Sequence, residues 1–252
     1  SDMDWMDLGQ DQSGGASGIE VVIGPYEVYE DSLLGLKSAF EAFVTVVDEG
    51  ESRKLSMVAG MLDELEANLP MPDHLKNFSR GKASPIKVVN VVYTAGDTKA
   101  GVQTAAFNLP NDERVRNLKG SKKVMLRNVT RAKFDKALIP ISRTVIDPAL
   151  LGSIDFDAYF NFILMHEVSH GLGPGMISLP DGTKTTVNLA LKDTYSTIEE
   201  CKADILSVYN TIYMSGKGIF DQAFMDKTAA SYLAGIFRSI RFGIGEAHGG
   251  AN

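Results

Sequence analysis

The sequence predicts an α+β fold: a small mixed or antiparallel sheet, then a mainly helical part. Short β-branched runs lie in the first half, at 19–23 and 86–93, and runs of helical length dominate the second half. The chain has 252 residues and is 44% hydrophobic, enough to bury a core without disulfide or metal staples. This reading divides it into a flexible segment 1–18, a strand-rich part 19–130 and a helical part 131–252, with no compositional break at the boundary.

Residues 11–18, Asp-Gln-Ser-Gly-Gly-Ala-Ser-Gly, read as loop. Residues 19–23 read as a strand ended by Gly24-Pro25. Asp31 can cap a helix over 32–47, with Leu33, Leu36, Phe40, Phe43 and Val47 along one face. A second amphipathic helix is expected over 53–68, stopped by Leu69-Pro70, and 79–85 is loop. Residues 86–93, 103–107 and 123–129 are strand candidates, and helices are expected near 156–171, 196–215 and 221–242.

The net charge of −7 argues against a non-specific nucleic-acid binder and against charge-driven adhesion to anionic membranes. The longest strongly apolar run, 159–165, is far short of the roughly 20 residues that cross a bilayer. Residues 1–18 lack the basic start and apolar core of a signal peptide, which says little about targeting; a soluble protein, cytoplasmic or periplasmic, is the expectation, with the compartment unknown. Cys201 is the single cysteine, so no intrachain disulfide forms, and it reads as a small buried apolar residue. The four histidines are His74, His166, His170 and His248.

The informative stretch is His166-Glu167-Val168-Ser169-His170, a His-Glu-x-x-His pattern. On a helix, residues i and i+4 share a face, so both imidazoles can reach one metal ion. Neutral imidazole is a good zinc ligand, and Glu167 beside the first ligand can take a proton from water. The apolar run ahead of the motif buries the helix and holds the ligands rigidly. The rival reading, two histidines on a buried helix by chance, needs this spacing from a chain with four histidines in all.

A catalytic zinc needs a third protein ligand. The extended pattern His-Glu-x-x-His-x-x-Gly-x-x-His fails here: Gly173 fits its glycine, but Met176 stands where the third histidine belongs. Carboxylate candidates follow in Ser196-Thr-Ile-Glu199-Glu200-Cys201-Lys202-Ala203-Asp204. Glu200 and Asp204 again share a helical face, the arrangement in which one acid ligates and the other orients a ligand histidine. Ser196-x-x-Glu199 and Thr197-x-x-Glu200 also read as capping boxes, so Glu199 and Glu200 both stay open as ligands, with Glu200 favoured.

Taken together, the two helices resemble the dipeptidyl peptidase III family of zinc exopeptidases. That family pairs His-Glu-x-x-Gly-His with Glu-Glu-Cys-Arg-Ala-Glu/Asp, matched here by 166–170 and by Glu199-Glu200-Cys201-Lys202-Ala203-Asp204. The resemblance implies a zincin-like fold and one Zn2+ per chain, held by His166, His170 and Glu200, with Glu199 and Asp204 behind them. Ile23-Gly-Pro-Tyr-Glu27-Val-Tyr29-Glu-Asp31 resembles a family segment whose glutamate helps bind the substrate's amino terminus and whose tyrosine polarises the scissile carbonyl; those roles fall to Glu27 and Tyr29. Asn108-Leu-Pro-Asn111-Asp112 resembles the segment whose asparagines hold the peptide amino terminus. Gly245-Glu-Ala-His248 resembles the region that supplies a histidine to the tetrahedral intermediate.

The resemblance implies a zinc metallopeptidase with Glu167 as general base, releasing dipeptides from the free amino termini of oligopeptides. The family's motif carries one more residue between its histidines, and its members are much longer and two-lobed. The chain is therefore expected to be a fragment or reduced form, with a missing lobe of the full-length protein as partner. Two other readings stay open. One is a glutamate-zincin endopeptidase or other amide hydrolase, and the other is an inactive zinc-stabilised domain that binds peptide.

Overall fold

The computed structural model describes residues 2–7, 18–26, 39–78, 86–99, 104–109, 115, 118 and 122–252. In chain order its elements are α1 (Asp2–Asp7), β1 (Ile19–Tyr26), β2 (Ala39–Val47), α2 (Glu49–Gly60), α3 (Leu62–Ala67), β3 (Ile86–Gly96), β4 (Ala106–Leu109), β5 (Lys122–Leu126), α4 (Arg127–Lys133), α5 (Ile139–Val145), α6 (Phe156–Ser169), β6 (Met176–Ser178), β7 (Lys184–Thr186), α7 (Val187–Leu191), α8 (Tyr195–Gly216), α9 (Gln222–Ile240) and α10 (Ala247–Ala251). The fold is α+β. The chain divides into two compact units, one of residues 1–62 with 80–130, the other of 63–79 with 131–252. Among the described residues no helix is long and apolar enough to cross a membrane.

The first unit is built on a mixed five-stranded sheet of order β1-β2-β3-β5-β4, in which β3 and β5 run parallel and the other pairs antiparallel. Val22, Phe43, Val89, Leu109, Val124, Leu126 and Val129 form its core, with Trp5 and Phe107 packed against them. Lys122 is buried in this unit. Its ammonium is neutralised by Glu20 at 3.2 Å, donates to the Trp5 carbonyl at 2.7 Å, and lies 4.4 Å from the centre of the Trp5 ring.

Several local expectations change. Residues 39–47, read as the end of a helix, form strand β2. Phe43 and Thr45 turn inward while Phe40 and Val46 stay exposed, which is a period of two, and the strand is satisfied by pairing with β1 and β3. Strand β1 does not stop at Gly24-Pro25 but continues to Tyr26, because it lies at the sheet edge, where proline costs no ladder bond. The helix expected over 53–68 starts earlier, capped by Asp48 accepting from Glu51 N–H, and breaks at Met61 into α2 and α3. The strand expected over 123–129 ends at Leu126, where α4 begins. The expected strand at 103–107 is β4, shifted to Ala106–Leu109. The loop readings at 11–17 and 79–85, the Asp31 cap and Leu33 and Leu36 lie outside the described residues.

The second unit is helical apart from the β6–β7 hairpin. Its centre is α6, which buries ten of its 14 residues. Asp155 caps α6: its Oδ1 accepts from the N–H groups of Asp157 and Ala158, at 3.0 and 3.1 Å. One side of α6 meets α8 through the fully buried small residues Ala203 and Ser207, and Ser207 Oγ donates to the Phe162 carbonyl at 2.8 Å. Another side meets α9, where the Phe162 and Tyr232 rings lie 4.7 Å apart. Between α4 and α5 the helix widens into a π turn at 134–138, just ahead of Pro140, whose missing N–H interrupts the ladder.

Residues 63–79 brace the same unit. Glu66 is fully buried and accepts from Asn77 N–H at 2.6 Å and Gly173 N–H at 3.0 Å, which fixes the turn after α6. Gly173 sits at φ +81°, a left-handed conformation that an L side chain would strain. Tyr209 Oη donates to the Asn68 carbonyl at 2.9 Å, tying α8 to this segment.

The cap of α6 carries a measurable share of stability. Burial opposes ionisation of Asp155, but the Ala158 and Asp157 N–H groups and Lys227 outweigh it and hold the carboxyl below its usual value. A depressed acid contributes stability that is complete above its unfolded value of about 3.9 and is lost as the pH falls through the lower folded value. Asp155→Ala is expected to cost about 1 kcal/mol at neutral pH. In thermal unfolding that is a drop of about 2–4 °C, and the gap to wild type should narrow below pH ~4.

Candidate metal centre

Two helices facing each other build the site. His166 projects from the last turn of α6 and His170 from its C-cap, and Glu199, Glu200 and Asp204 project from the first turns of α8. The α8 helix begins at Tyr195 and its N-cap, Thr194, makes no side-chain capping bond. Neither expected capping box therefore forms, because Ser196 and Thr197 already lie inside the helix. Both glutamates instead face the histidines.

Each imidazole is oriented through its Nδ1. His166 Nδ1 lies 2.6 Å from Asp204 Oδ1, and His170 Nδ1 lies 2.9 Å from Glu199 Oε1. A carboxylate can only accept, so each Nδ1 carries a proton, and a ring that holds no second proton presents a lone pair on Nε2. Those two nitrogens are 3.0 Å apart. Glu200 Oε2 lies 3.1 Å from His166 Nε2 and 3.7 Å from His170 Nε2. This oxygen is buried and makes no hydrogen bond of acceptable geometry, although two imidazole nitrogens lie within 3.1 Å of it.

Three ligand atoms thus converge on one point, an arrangement that calls for a shared cation, a proton or a metal ion. Tetrahedral ligands at zinc bond lengths are about 3.3 Å from one another, and the separations of 3.0, 3.1 and 3.7 Å bracket that value. Among the described residues, His166, His170 and Glu200 are the group of His, Cys, Asp and Glu able to hold a metal ion. The donor set fits zinc.

The electrostatics agree. Burial opposes charge on His166, but Asp204 and Glu200 outweigh it, and the imidazole is pushed up to about 10. Burial would raise Glu200, yet His166, His248 and His170 override it and lower it. Burial would raise Glu199 too, and His170 and Lys202 lower it. The centre carries surplus negative charge in a poorly solvated place, and the field that retains a proton there also favours a divalent cation.

The remaining sequence candidates are placed as follows. Glu167 is half-buried on α6, beside His166. His248, on α10, brings Nδ1 to 3.1 Å from Glu200 Oε2, and its ring centre lies 5.8 Å from that of His166. Asn108 lies in β4 opposite Lys123. Glu27, Tyr29 and Asn111 lie outside the described residues. Cys201, expected to be buried, is half-buried, because its neighbours Glu200 and Lys202 take the inward-facing directions. Two contacts had no local signal in the sequence: Lys202 Nζ donates to the Leu172 carbonyl at 3.1 Å, and Asn252 Nδ2 donates to Asp204 Oδ2 at 3.1 Å.

Comparison with known proteins gives this centre a family. The model of peptidase family M49 matches residues 16–188. A structure of DPP III from Caldithrix abyssi superposes with a TM-score of 0.92 at 58% identity, covering 99% of this chain and 46% of that one. The dipeptidyl-peptidase III of Corallococcus sp. strain EGB gives 0.84 at 46% identity, covering 99% and 45%. Dipeptidyl peptidase 3 of Nematostella vectensis is 27% identical over 217 residues, 76% of this chain and 28% of that protein. Nudix hydrolase 3 of Arabidopsis thaliana is 41% identical over 249 residues, 99% of this chain and 31% of that protein; its name speaks of a different hydrolase. The chain spans about a third of the curated relatives it matches and under half of the solved ones. With the family model matched over most of its length, the chain belongs to peptidase family M49, the dipeptidyl peptidase III family.

Proposed function

We propose that this chain is the metal-binding part of a zinc-dependent metallopeptidase that releases dipeptides from the free amino termini of oligopeptides. The observation that carries the reading is the convergence of His166 Nε2, His170 Nε2 and Glu200 Oε2 on one point, in a chain of this family.

His166, His170 and Glu200 would hold one zinc ion. Bound there, zinc supplies a Lewis acid that brings the pKa of water to about 7. The chain's own residues do the rest. Asp204 and Glu199 keep each imidazole in the tautomer that offers Nε2. Glu167 takes the proton of the attacking water and returns it to the leaving amine. Tyr29 and His248 would donate to the oxygen on which charge develops. Glu27, Asn108 and Asn111 would hold a protonated amino terminus, as the family resemblance implies, and recognition of that terminus would limit release to short units.

A second reading takes its support from the 41% identity to Nudix hydrolase 3, a relative whose name speaks of no peptidase. In it the chain is a zinc-stabilised domain that binds peptide without turnover. It predicts stoichiometric zinc and peptide affinity with no product.

Metal analysis of the purified chain is expected to find one zinc per chain, lost in Glu200→Ala. Asp204→Asn should weaken zinc about 10–100-fold while leaving the ligands in place. Glu167→Gln is expected to retain zinc and lose at least about 10²-fold in turnover, and full activity in that variant would sink the mechanism. Acetylating the amino termini of a peptide panel should abolish cleavage. If acetylated peptides are cut equally well, the enzyme is an endopeptidase or another amide hydrolase.

A further inference from the structure

We propose that Lys202 and Asn252 are positioning residues of the metal centre, each fixing the carboxylate that orients one ligand imidazole. The inference rests on the metal-binding part of the reading above and not on the peptidase part.

Two chains of contacts lead outward from the metal ligands. On one side His166 Nδ1 meets Asp204 Oδ1 at 2.6 Å, and Asp204 Oδ2 accepts from Asn252 Nδ2 at 3.1 Å. Asn252 Nδ2 also donates to the His248 carbonyl at 2.9 Å, so the amide is held by the backbone of α10. On the other side His170 Nδ1 meets Glu199 Oε1 at 2.9 Å, and Lys202 Nζ lies 2.8 Å from the same oxygen. Lys202 Nζ also donates to the Leu172 carbonyl at 3.1 Å, two residues beyond the ligand His170. Each orienting carboxylate is therefore pinned by a donor that is itself anchored to backbone.

A carboxylate with one partner can rotate about its side-chain torsions and carry the imidazole with it. A second donor removes that freedom, and ring orientation governs how well the Nε2 lone pair points at the ion. The bland alternative is that Lys202–Glu199 is an ordinary i,i+3 helix pair worth a few tenths of a kcal/mol and that Asn252 only secures a helix end. Such a pair has no need of the Leu172 carbonyl, and Asp204 is 8% exposed, so its second oxygen depends on protein donors. The seat of α10 is built for close approach. A Cβ at Gly249 would lie 2.3 Å from the Gly243 carbonyl oxygen, and one at Gly250 would lie 3.2 Å from Thr197 Cγ2 of α8.

The test measures Zn2+ affinity of the chain by competition with a chromogenic chelator, together with the visible spectrum of the Co2+-loaded chain. Lys202→Met and Asn252→Leu are each expected to weaken Zn2+ binding by about tenfold, the low end for groups that orient metal ligands, and to shift the Co2+ bands. Lys202→Arg should restore both. In an Asp204→Ala background Asn252→Leu should have no further effect, and Lys202→Met none in a Glu199→Ala background. Wild-type affinity in the two single variants overturns the proposal, as does a loss that persists undiminished once the carboxylate is gone. A loss matched by a lower melting temperature of the metal-free chain is structural and overturns it too. A wild-type chain that binds no Zn2+ overturns the metal reading and this proposal together. Zn2+ binding without peptide cleavage, with the expected variant effects, supports positioning and removes only the peptidase reading.

Discussion

The centre depends on the close approach of two helices, the buried α6 and α8, which presents one buried face to it. Their facing turns bring two imidazole nitrogens and a carboxylate oxygen within 3.7 Å of one another. A cation, proton or metal, relieves the repulsion among them, and the packing of the helices holds them there. Ten of the 14 residues of α6 are buried, and the small side chains of Ala203 and Ser207 let α8 come in against it. Apolar burial, at ~25 cal/mol per Å2, stabilises this packing, and the packing dictates the geometry of the ligand atoms.

The second constraint is charge. Glu199, Glu200 and Asp204 face two histidines in a place where water is scarce, and the imbalance is negative. A site of this kind is stabilised by a cation, and the convergence of two Nε2 atoms and a carboxylate oxygen suits a metal ion. The orienting carboxylates thereby serve two purposes: they select the tautomer that exposes Nε2, and they supply negative charge to the centre. The turn that follows His170 is fixed in turn by buried Glu66, which keeps the end of α6 from fraying next to its ligands.

Much of the site was legible because its signals are local. His166 and His170, and Glu200 and Asp204, are each i and i+4, and helical geometry alone puts each pair on one face. The α+β class and the three long helices were equally open, since long apolar runs leave little choice of period. Residues 39–47 were not, because Phe40, Phe43 and Val47 satisfy a helical period while the strand they form is stabilised by pairing with distant β1 and β3. The serine and threonine ahead of Glu199 and Glu200 matched a capping pattern, but the chain enters the helix at Tyr195, which a four-residue motif cannot reveal. Contacts across 30 and 48 residues, Lys202 to Leu172 and Asn252 to Asp204, leave no periodic trace at all.

The most direct test of the centre is zinc-edge X-ray absorption on the zinc-loaded chain. Two imidazole nitrogens at about 2.0–2.1 Å and a carboxylate oxygen at about 2.0–2.2 Å are the result this account predicts. A sulfur at about 2.3 Å, which Cys201 alone could supply among the cysteines, or a shell with a single imidazole, would contradict it.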